Sequence, residues 1–154
     1  MKHDVILIGV GNEFRGDDAL GAAIAREFDS RSIHGLKVMT ESGEGASLME
    51  AWSGAYHVII VDAISSGQTP GTVHRFDAST TKIPRRTFHY SSHAFGVAEA
   101  IEMARELQLL PSTLIVYGIE GNDFTMGRGI TPSVQSSMAE LIKRIEQDVL
   151  RMSS

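Results

Sequence analysis

The segment VILIGVGNEFRGDDALG, residues 5–21, decides the fold class. Residues 5–8 form a continuous apolar run that ends at Gly9, which is typical of a strand buried on both faces of a sheet. From Asp18 onward, apolar residues recur at the spacing of a helix. The segment therefore predicts a strand that leads into a helix through the loop 9–16.

The same alternation of strand and helix continues along the chain. Helices are predicted to begin at Asp18, near Leu48, after a cap at Ser91 or Ser92, and at the Thr131-Pro132 pair. Further strands are predicted at 36–40, 57–61, 72–76 (an edge strand) and 114–119. Because parallel strands need a crossover segment between them, we predict an α/β fold. It is a single three-layer domain over residues 1–154, with a mostly parallel, twisted sheet of about five strands and helices on both faces.

Composition and charge exclude several classes of protein. The 154 residues are 42% hydrophobic and 21% charged, close to an average soluble domain, which excludes disordered and collagen-like chains. A net charge of -5 has the wrong sign for a nucleic-acid-binding protein. Cysteine is absent, so any metal must have oxygen and nitrogen ligands. The first apolar run is too short for a signal peptide or a membrane span, and we expect a cytoplasmic protein that binds no membrane.

Three polar side chains are predicted to meet at the carboxyl edge of the sheet, where open α/β sheets bind ligands. Asp62 follows the strand at 57–61, Asp18 begins the helix after the first strand, and His93 begins a later helix. Each of them alone also fits a structural role such as a helix cap. Together, two carboxylates and an imidazole suit nickel, zinc or manganese and leave coordination positions open for polarising a carbonyl or activating water.

The glycines of the first loop also invite comparison with a dinucleotide-binding fingerprint. Phe14 occupies the position of its third glycine, and the candidate ribose-binding acid, Glu41, lies thirty residues after Gly11 instead of about 20. We therefore expect the glycines to let the loop turn, with the Asn12 side chain bonded to its backbone.

Four sequence blocks resemble, in order, the hydrogenase maturation endopeptidases, the nickel-dependent processing proteases of nickel-iron hydrogenase large subunits. The resemblance runs from about Val5 to the last helix. The blocks are 9–12 with 15–21, 60–63, 92–93, and 118–121 with 129–134.

The resemblance implies that Asp18, Asp62 and His93 are the metal-binding set, and Asp18 and Asp62 are the catalytic candidates. It further implies a cytoplasmic endopeptidase that removes the C-terminal extension of a hydrogenase large-subunit precursor after nickel insertion. The nickel would be supplied by the precursor, and other divalent ions could substitute for it. Either the metal or a carboxylate acting as general base would direct water to the scissile carbonyl. The family's glycine-rich segment after strand two corresponds here to 43–45, which includes the extra acid Glu44.

Two other functions stay open. The chain could be a non-catalytic α/β module that binds a nucleotide or a metal, or a general aminopeptidase with its own tightly held metal. A serine nucleophile is not indicated, because no Gly-x-Ser-x-Gly pattern surrounds Ser91 or Ser92. The loops 79–92 and 120–129 are expected to shape the choice of client protein.

Overall fold

The strands and helices alternate as the sequence patterns indicate. The computed structural model describes residues 4–84, 87 and 93–153. Within them the strands are β1 (Val5–Val10), β2 (Leu36–Glu41), β3 (His57–Ile64), β4 (Val73–Asp77) and β5 (Thr113–Glu120). The helices are α1 (Leu20–Ser30), α2 (Gly45–Ala51), α3 (Val97–Glu106), α4 (Pro132–Gln135) and α5 (Met138–Ser153).

The five strands form one sheet in the order β2-β1-β3-β5-β4. The first three pairings are parallel, and β4 pairs antiparallel with β5. β4 runs in reverse because the short connection 65–72 from β3 holds no crossover helix among the described residues. The predicted α/β fold with a mostly parallel sheet and an edge strand near 72–76 is confirmed.

Helices cover both faces of this sheet. On one face, α2 and α3 pack against the strands through residues such as Leu48, Trp52 and Ile101. On the other face, α1 and α5 pack through Phe28 and Ile145. The central strands β1 and β3 are therefore buried on both sides, which explains why their sequences are continuous apolar runs. None of the helices in the described ranges is long and apolar enough to cross a membrane.

Three predicted boundaries differ from the structure. Asp18 does not begin α1 but lies in a 3-10 helix, Gly16–Ala19, that leads into it. β3 does not end before Asp62 but continues through it to Ile64. The prediction that His93 begins a helix is wrong, because α3 begins at Val97 after the N-cap Gly96. The predicted caps Ser91 and Ser92 fall outside the described residues.

The predicted last helix is interrupted. Thr131 is its N-cap and Pro132 its first residue, as expected, but α4 ends at Gln135 and α5 begins at Met138. The Thr131 hydroxyl does not cap the helix and is hydrogen-bonded elsewhere, to the carboxylate of Asp17.

Helix α1 approaches β1 closely at two glycines. A Cβ atom at Gly21 would clash with the main-chain N and O of Val10, and one at Gly9 would clash with the main-chain O of Gly21. Gly21 thus allows the close helix–strand packing that a dinucleotide fingerprint assigns to its third glycine, and Phe14 is not involved. This packing fixes the 3-10 helix and Asp18 against the carboxyl end of β1.

Candidate active site

The loop that follows β1 wraps around the carboxylate of Asp18. The Asn12 N–H donates to Asp18 Oδ2 at 2.8 Å. Gly11 has φ +130°, and a Cβ atom at this position would lie 2.8 Å from Asp18 Oδ1. Only glycine combines this conformation with such a close approach. The Asn12 side chain accepts the Phe14 N–H at 2.9 Å, which is the backbone bond predicted from the sequence.

Asp62 lies on β3, opposite Gly118 of β5, and is buried. Its neighbours Ile60 and Ile64 pack on the α2 and α3 side, so the alternation of the strand directs Asp62 to the same side. Burial raises the pKa of Asp62 well above its usual value, and the negative charge of Asp18 raises it further. The two carboxylates are therefore close enough to interact electrostatically.

Asp18 has a different environment from Asp62 because it is only half-buried. Burial raises its pKa, but the Asn12 amide and electrostatic interactions with Arg15 and His93 act in the opposite direction. Asp18 therefore has more pKa-lowering partners than Asp62, for which only a backbone hydrogen bond with Ala63 opposes the rise.

His93 lies in the segment before α3, beside the loop that follows β2. A Cβ atom at Gly43 would lie 3.7 Å from His93 Cδ2 and 3.1 Å from Cγ1 of Val10, the last residue of β1. His93 also influences the pKa values of both Asp18 and Glu44, which it lowers. The structure therefore places His93 at the same edge of the sheet as the two carboxylates.

The three residues lie at this edge but do not form a complete metal-binding site by themselves. Across 4–84, 87 and 93–153, no three His, Asp or Glu side chains are grouped closely enough to hold an ion. Oxygen and imidazole nitrogen are nevertheless donors that suit nickel.

The comparison with known proteins agrees with the sequence blocks. Residues 24–148 match the family model described as HycI, hydrogenase maturation protease. The chain belongs to the hydrogenase maturation protease family.

Other members of this family are similar over nearly their whole length. The chain is 25% identical to the hydrogenase 2 maturation protease of Escherichia coli, covering 92% of this chain and 87% of that protein. It is 23% identical to a putative hydrogenase maturation protease of Methanocaldococcus jannaschii, covering 97% and 96%. The solved structure of the hydrogenase maturating endopeptidase HybD from E. coli has a TM-score of 0.76 at 24% identity, covering 100% of this chain and 94% of that one. This structure shares the α/β fold.

In this family member the extra acid Glu44 has a structural role. Its carboxylate accepts the N–H groups of Ala46 and Ser47, each at 2.9 Å, and so caps α2. These hydrogen bonds lower the pKa of Glu44. The next residue, Gly45, donates its N–H to the carbonyl of Phe95 at 2.7 Å. The start of α2 thereby supports the segment that carries His93.

Asp17 is a buried residue whose importance the sequence did not reveal. Its carboxylate accepts the N–H groups of Asn122 at 2.6 Å, Asp123 at 3.1 Å and Thr131 at 2.7 Å, together with the Thr131 hydroxyl. Asp17 therefore ties the loop after β5 to the 3-10 helix that carries Asp18. The sequence predicts only a helix start for Asp17, because its partners lie more than 100 positions away.

Glu120 is a second buried carboxylate that the sequence did not single out as functional. It accepts the N–H and the hydroxyl of Ser66 and lies 3.6 Å from Nε2 of His74. Glu120 fixes the connection 65–72 at the same sheet edge as Asp62.

Two cavities of about 550 Å³ each flank the loop around Asp18. The first lies toward β2 and is lined by Gly11, Arg26 and Glu41, among others. The second lies toward the loop after β5 and is lined by Arg15 and Met126, among others. Both cavities have Asn12 in their walls, and Asn12 is bonded to Asp18. The two cavities therefore meet the loop that holds Asp18 at Asn12.

Proposed function

We propose that this protein is a cytoplasmic endopeptidase that removes the C-terminal extension of a nickel-iron hydrogenase large-subunit precursor. Asp18, Asp62 and His93 contact the nickel that the precursor carries. The observation that carries the proposal is the interacting pair of Asp18 and Asp62 at the ligand-binding edge of the sheet, in a chain of the hydrogenase maturation protease family.

The electrostatics of the pair favour a cation as the recognised feature. The negative charge of Asp18 raises the pKa of Asp62, and a divalent ion beside the two carboxylates would offset this repulsion. In this proposal the nickel is part of the substrate and arrives with ligands from the precursor. The protease then needs to provide only the remaining ligands of the nickel ion. Its carboxylate and imidazole groups can do so, and the protease has no thiolates that would compete with the precursor for the metal.

The hydrolytic step requires a group that accepts a proton from the attacking water. Asp18 is more exposed than Asp62, so water and the scissile carbonyl reach Asp18 first. Asp18 is also held in place by the Asn12 amide, which orients the carboxylate. We assign Asp18 as the general base and Asp62 as its electrostatic partner.

The proposed function is tested by the intact mass of nickel-loaded large-subunit precursors incubated with the protein. We expect the wild type to shorten one precursor by a C-terminal peptide. Asp18→Asn and Asp62→Asn should each reduce the rate by about 100-fold or more, the usual contribution of a catalytic carboxylate. Asp29→Asn, the same change at an exposed residue of α1, serves as the control and should cleave like the wild type.

Either of two results would contradict the proposal. One is that the wild type shortens none of the nickel-loaded precursors. The other is that Asp18→Asn and Asp62→Asn cleave as fast as Asp29→Asn while circular dichroism shows that all the variants are folded.

A further inference from the structure

The strand β2 lies at an edge of the sheet. It pairs with β1 on one side, and no strand within 4–84, 87 and 93–153 pairs with its other side. An edge strand directs main-chain N–H and C=O groups away from the sheet, where another extended chain can bind them. β2 therefore offers hydrogen-bonding groups to one additional strand.

A groove lies beside β2 on each face of the sheet. One groove has a volume of about 390 Å³, lies toward α2 and is lined by residues that include Lys37, Met39, Glu41 and Glu50. We call it the α2-side groove. The α1-side groove is the cavity of about 550 Å³ described above, to which β2 contributes Thr40 and α1 contributes Arg26. Because successive side chains of an extended chain point to opposite faces, an added strand would direct its side chains into the two grooves alternately.

The α2-side groove has an excess of negative charge. Its charged lining residues are Glu41 and Glu50 against Lys37. Burial raises the pKa of Glu41, and the negative charges of Glu50 and Glu44 raise it further. A cation near a carboxylate that other carboxylates repel is favourable. A Lys or Arg side chain of an added strand would supply such a cation.

The carboxyl end of β2 is connected to the loop that holds Asp18. The Gly11 N–H donates to the carbonyl of Glu41 at 3.0 Å, and Gly11 itself lies against the carboxylate of Asp18. Since neighbouring strands are about 4.8 Å apart, a strand added to β2 lies about 10 Å from β1, a distance that about three extended residues cover. A chain paired with β2 can therefore reach Asp18 within a few residues.

This inference rests on the proposed function. We propose that the client polypeptide binds to the free edge of β2 as an additional strand, next to the segment that is cleaved. A Lys or Arg side chain of the client occupies the α2-side groove, and the adjacent residue of the client directs its side chain into the α1-side groove. Glu41 and Glu50 are thus specificity-determining residues. A second copy of this chain is a poorer occupant, because its net charge of -5 adds negative charge to the same edge.

The first test measures steady-state cleavage of the nickel-loaded precursor that the wild type shortens. Glu50→Lys should raise KM about fivefold and change kcat less than about twofold, because it reverses a charge that faces the bound chain and not the reacting atoms. The control is Glu106→Lys, the same change at an exposed residue in the last turn of α3. Glu50 is likewise exposed and lies in the last turn of α2, so the two variants are matched. The control should leave both constants unchanged.

The second test locates the bound strand on the protease by hydrogen exchange. Asp18→Asn, which slows cleavage, is measured with and without an excess of nickel-loaded precursor. We expect the outward-directed amides of β2 to exchange at least about tenfold more slowly in the complex, because they then donate to the main chain of the client. The amides of β4, the strand at the opposite edge of the sheet, are the control and should exchange equally in both samples.

The outcomes separate the edge-strand interaction from the proposed function. If the wild type shortens no precursor, the protease function is refuted, and the edge-strand interaction is refuted with it. If the wild type cleaves but the precursor does not protect β2, or Glu50→Lys has the KM of Glu106→Lys, only the edge-strand interaction is refuted. Protection of β2 that increases with protein concentration in the absence of precursor would identify a second copy as the occupant, which also refutes it.

Discussion

Asp17→Asn should destabilise the protein strongly, although it removes no atom of the carbon skeleton. The carboxylate is 0% exposed and accepts three main-chain N–H groups and one hydroxyl. Asparagine keeps one acceptor oxygen and replaces the other with an NH₂ donor. That donor would face N–H groups, which cannot accept a hydrogen bond.

The magnitude follows from the bonds that each oxygen accepts. Asp17 Oδ2 accepts the N–H groups of Asn122 and Asp123, and Oδ1 accepts that of Thr131. The amide keeps its oxygen in the place of Oδ2, so the Thr131 N–H loses its bond to a charged acceptor, at about 1.5–3 kcal/mol, and the two bonds at Oδ2 change from a charged to a neutral acceptor, at about 1 kcal/mol each. We expect the free energy of unfolding to fall by about 3–6 kcal/mol, a large part of the total for a domain of this size. Thr131→Val removes only the hydroxyl and should cost about 1–2 kcal/mol.

Urea unfolding at neutral pH measures both losses, with Asp29→Asn as the control for removal of a surface carboxylate. Hydrogen exchange provides a local readout, because the amides of Asn122, Asp123 and Thr131 should lose protection in Asp17→Asn before the amides of β3 do. A loss of less than about 1 kcal/mol, or equal exchange rates in the wild type and Asp17→Asn, would show that the Asp17 hydrogen bonds do not hold the loop after β5 in place.

Two further predictions concern packing and pH. Gly21→Ala should lower the free energy of unfolding by about 1–3 kcal/mol or more, because its Cβ would clash with the main chain of Val10. The prediction is wrong if urea unfolding gives the variant the same free energy of unfolding as the wild type within error. Burial raises the pKa of Tyr117 to about 12. The unfolded state therefore loses this proton first, near pH ~10, and wild-type stability falls by up to about 2–3 kcal/mol between pH ~10 and ~12. Tyr117→Phe should not show this loss of stability when its free energy of unfolding in urea is measured across the same pH range. The prediction is wrong if the free energies of the two proteins fall in parallel as the pH rises.

The central strands could be predicted from the sequence because of where they lie. β1, β3 and β5 are covered on both faces, so nearly every residue in them is apolar. The edge strand β4 is recognisable for the opposite reason, since its residues are mostly half-exposed and alternate in polarity. The carboxyl ends of parallel strands then define one edge, and this topology alone places Asp18 and Asp62 on it.

The start of α3 could not be predicted because its cap has no distinctive residue type. The N-cap is Gly96, whose N–H donates to the Glu99 side chain at 2.9 Å. Ser91 and Ser92 are much stronger cap residues, so they gave the wrong helix start and misplaced His93. Only Glu99, three residues after Gly96, is a local signal that could have located this cap.

The supporting part of the site could not be predicted because its contacts are long-range. Asp17 and Asp18 are adjacent acids with the same local pattern, yet one carboxylate is buried against the loop after β5 and the other interacts electrostatically with Asp62. The contact of Phe14 with that loop likewise depends on packing between segments more than 100 residues apart. Local periodicity contains no information on such pairs.

We propose that Asp62 and its partners recognise nickel held by the precursor. The most direct measurement is the rate of C-terminal peptide release from nickel-loaded and nickel-free forms of the same precursor, for the wild type, Asp62→Asn and His93→Ala. We predict that the wild type cleaves the loaded form at least about tenfold faster, a preference of about 1.4 kcal/mol. The residual cleavage by the two variants should show a ratio near one. Equal cleavage of both forms by the wild type, or an unchanged preference in Asp62→Asn and His93→Ala, would show that these residues do not recognise nickel.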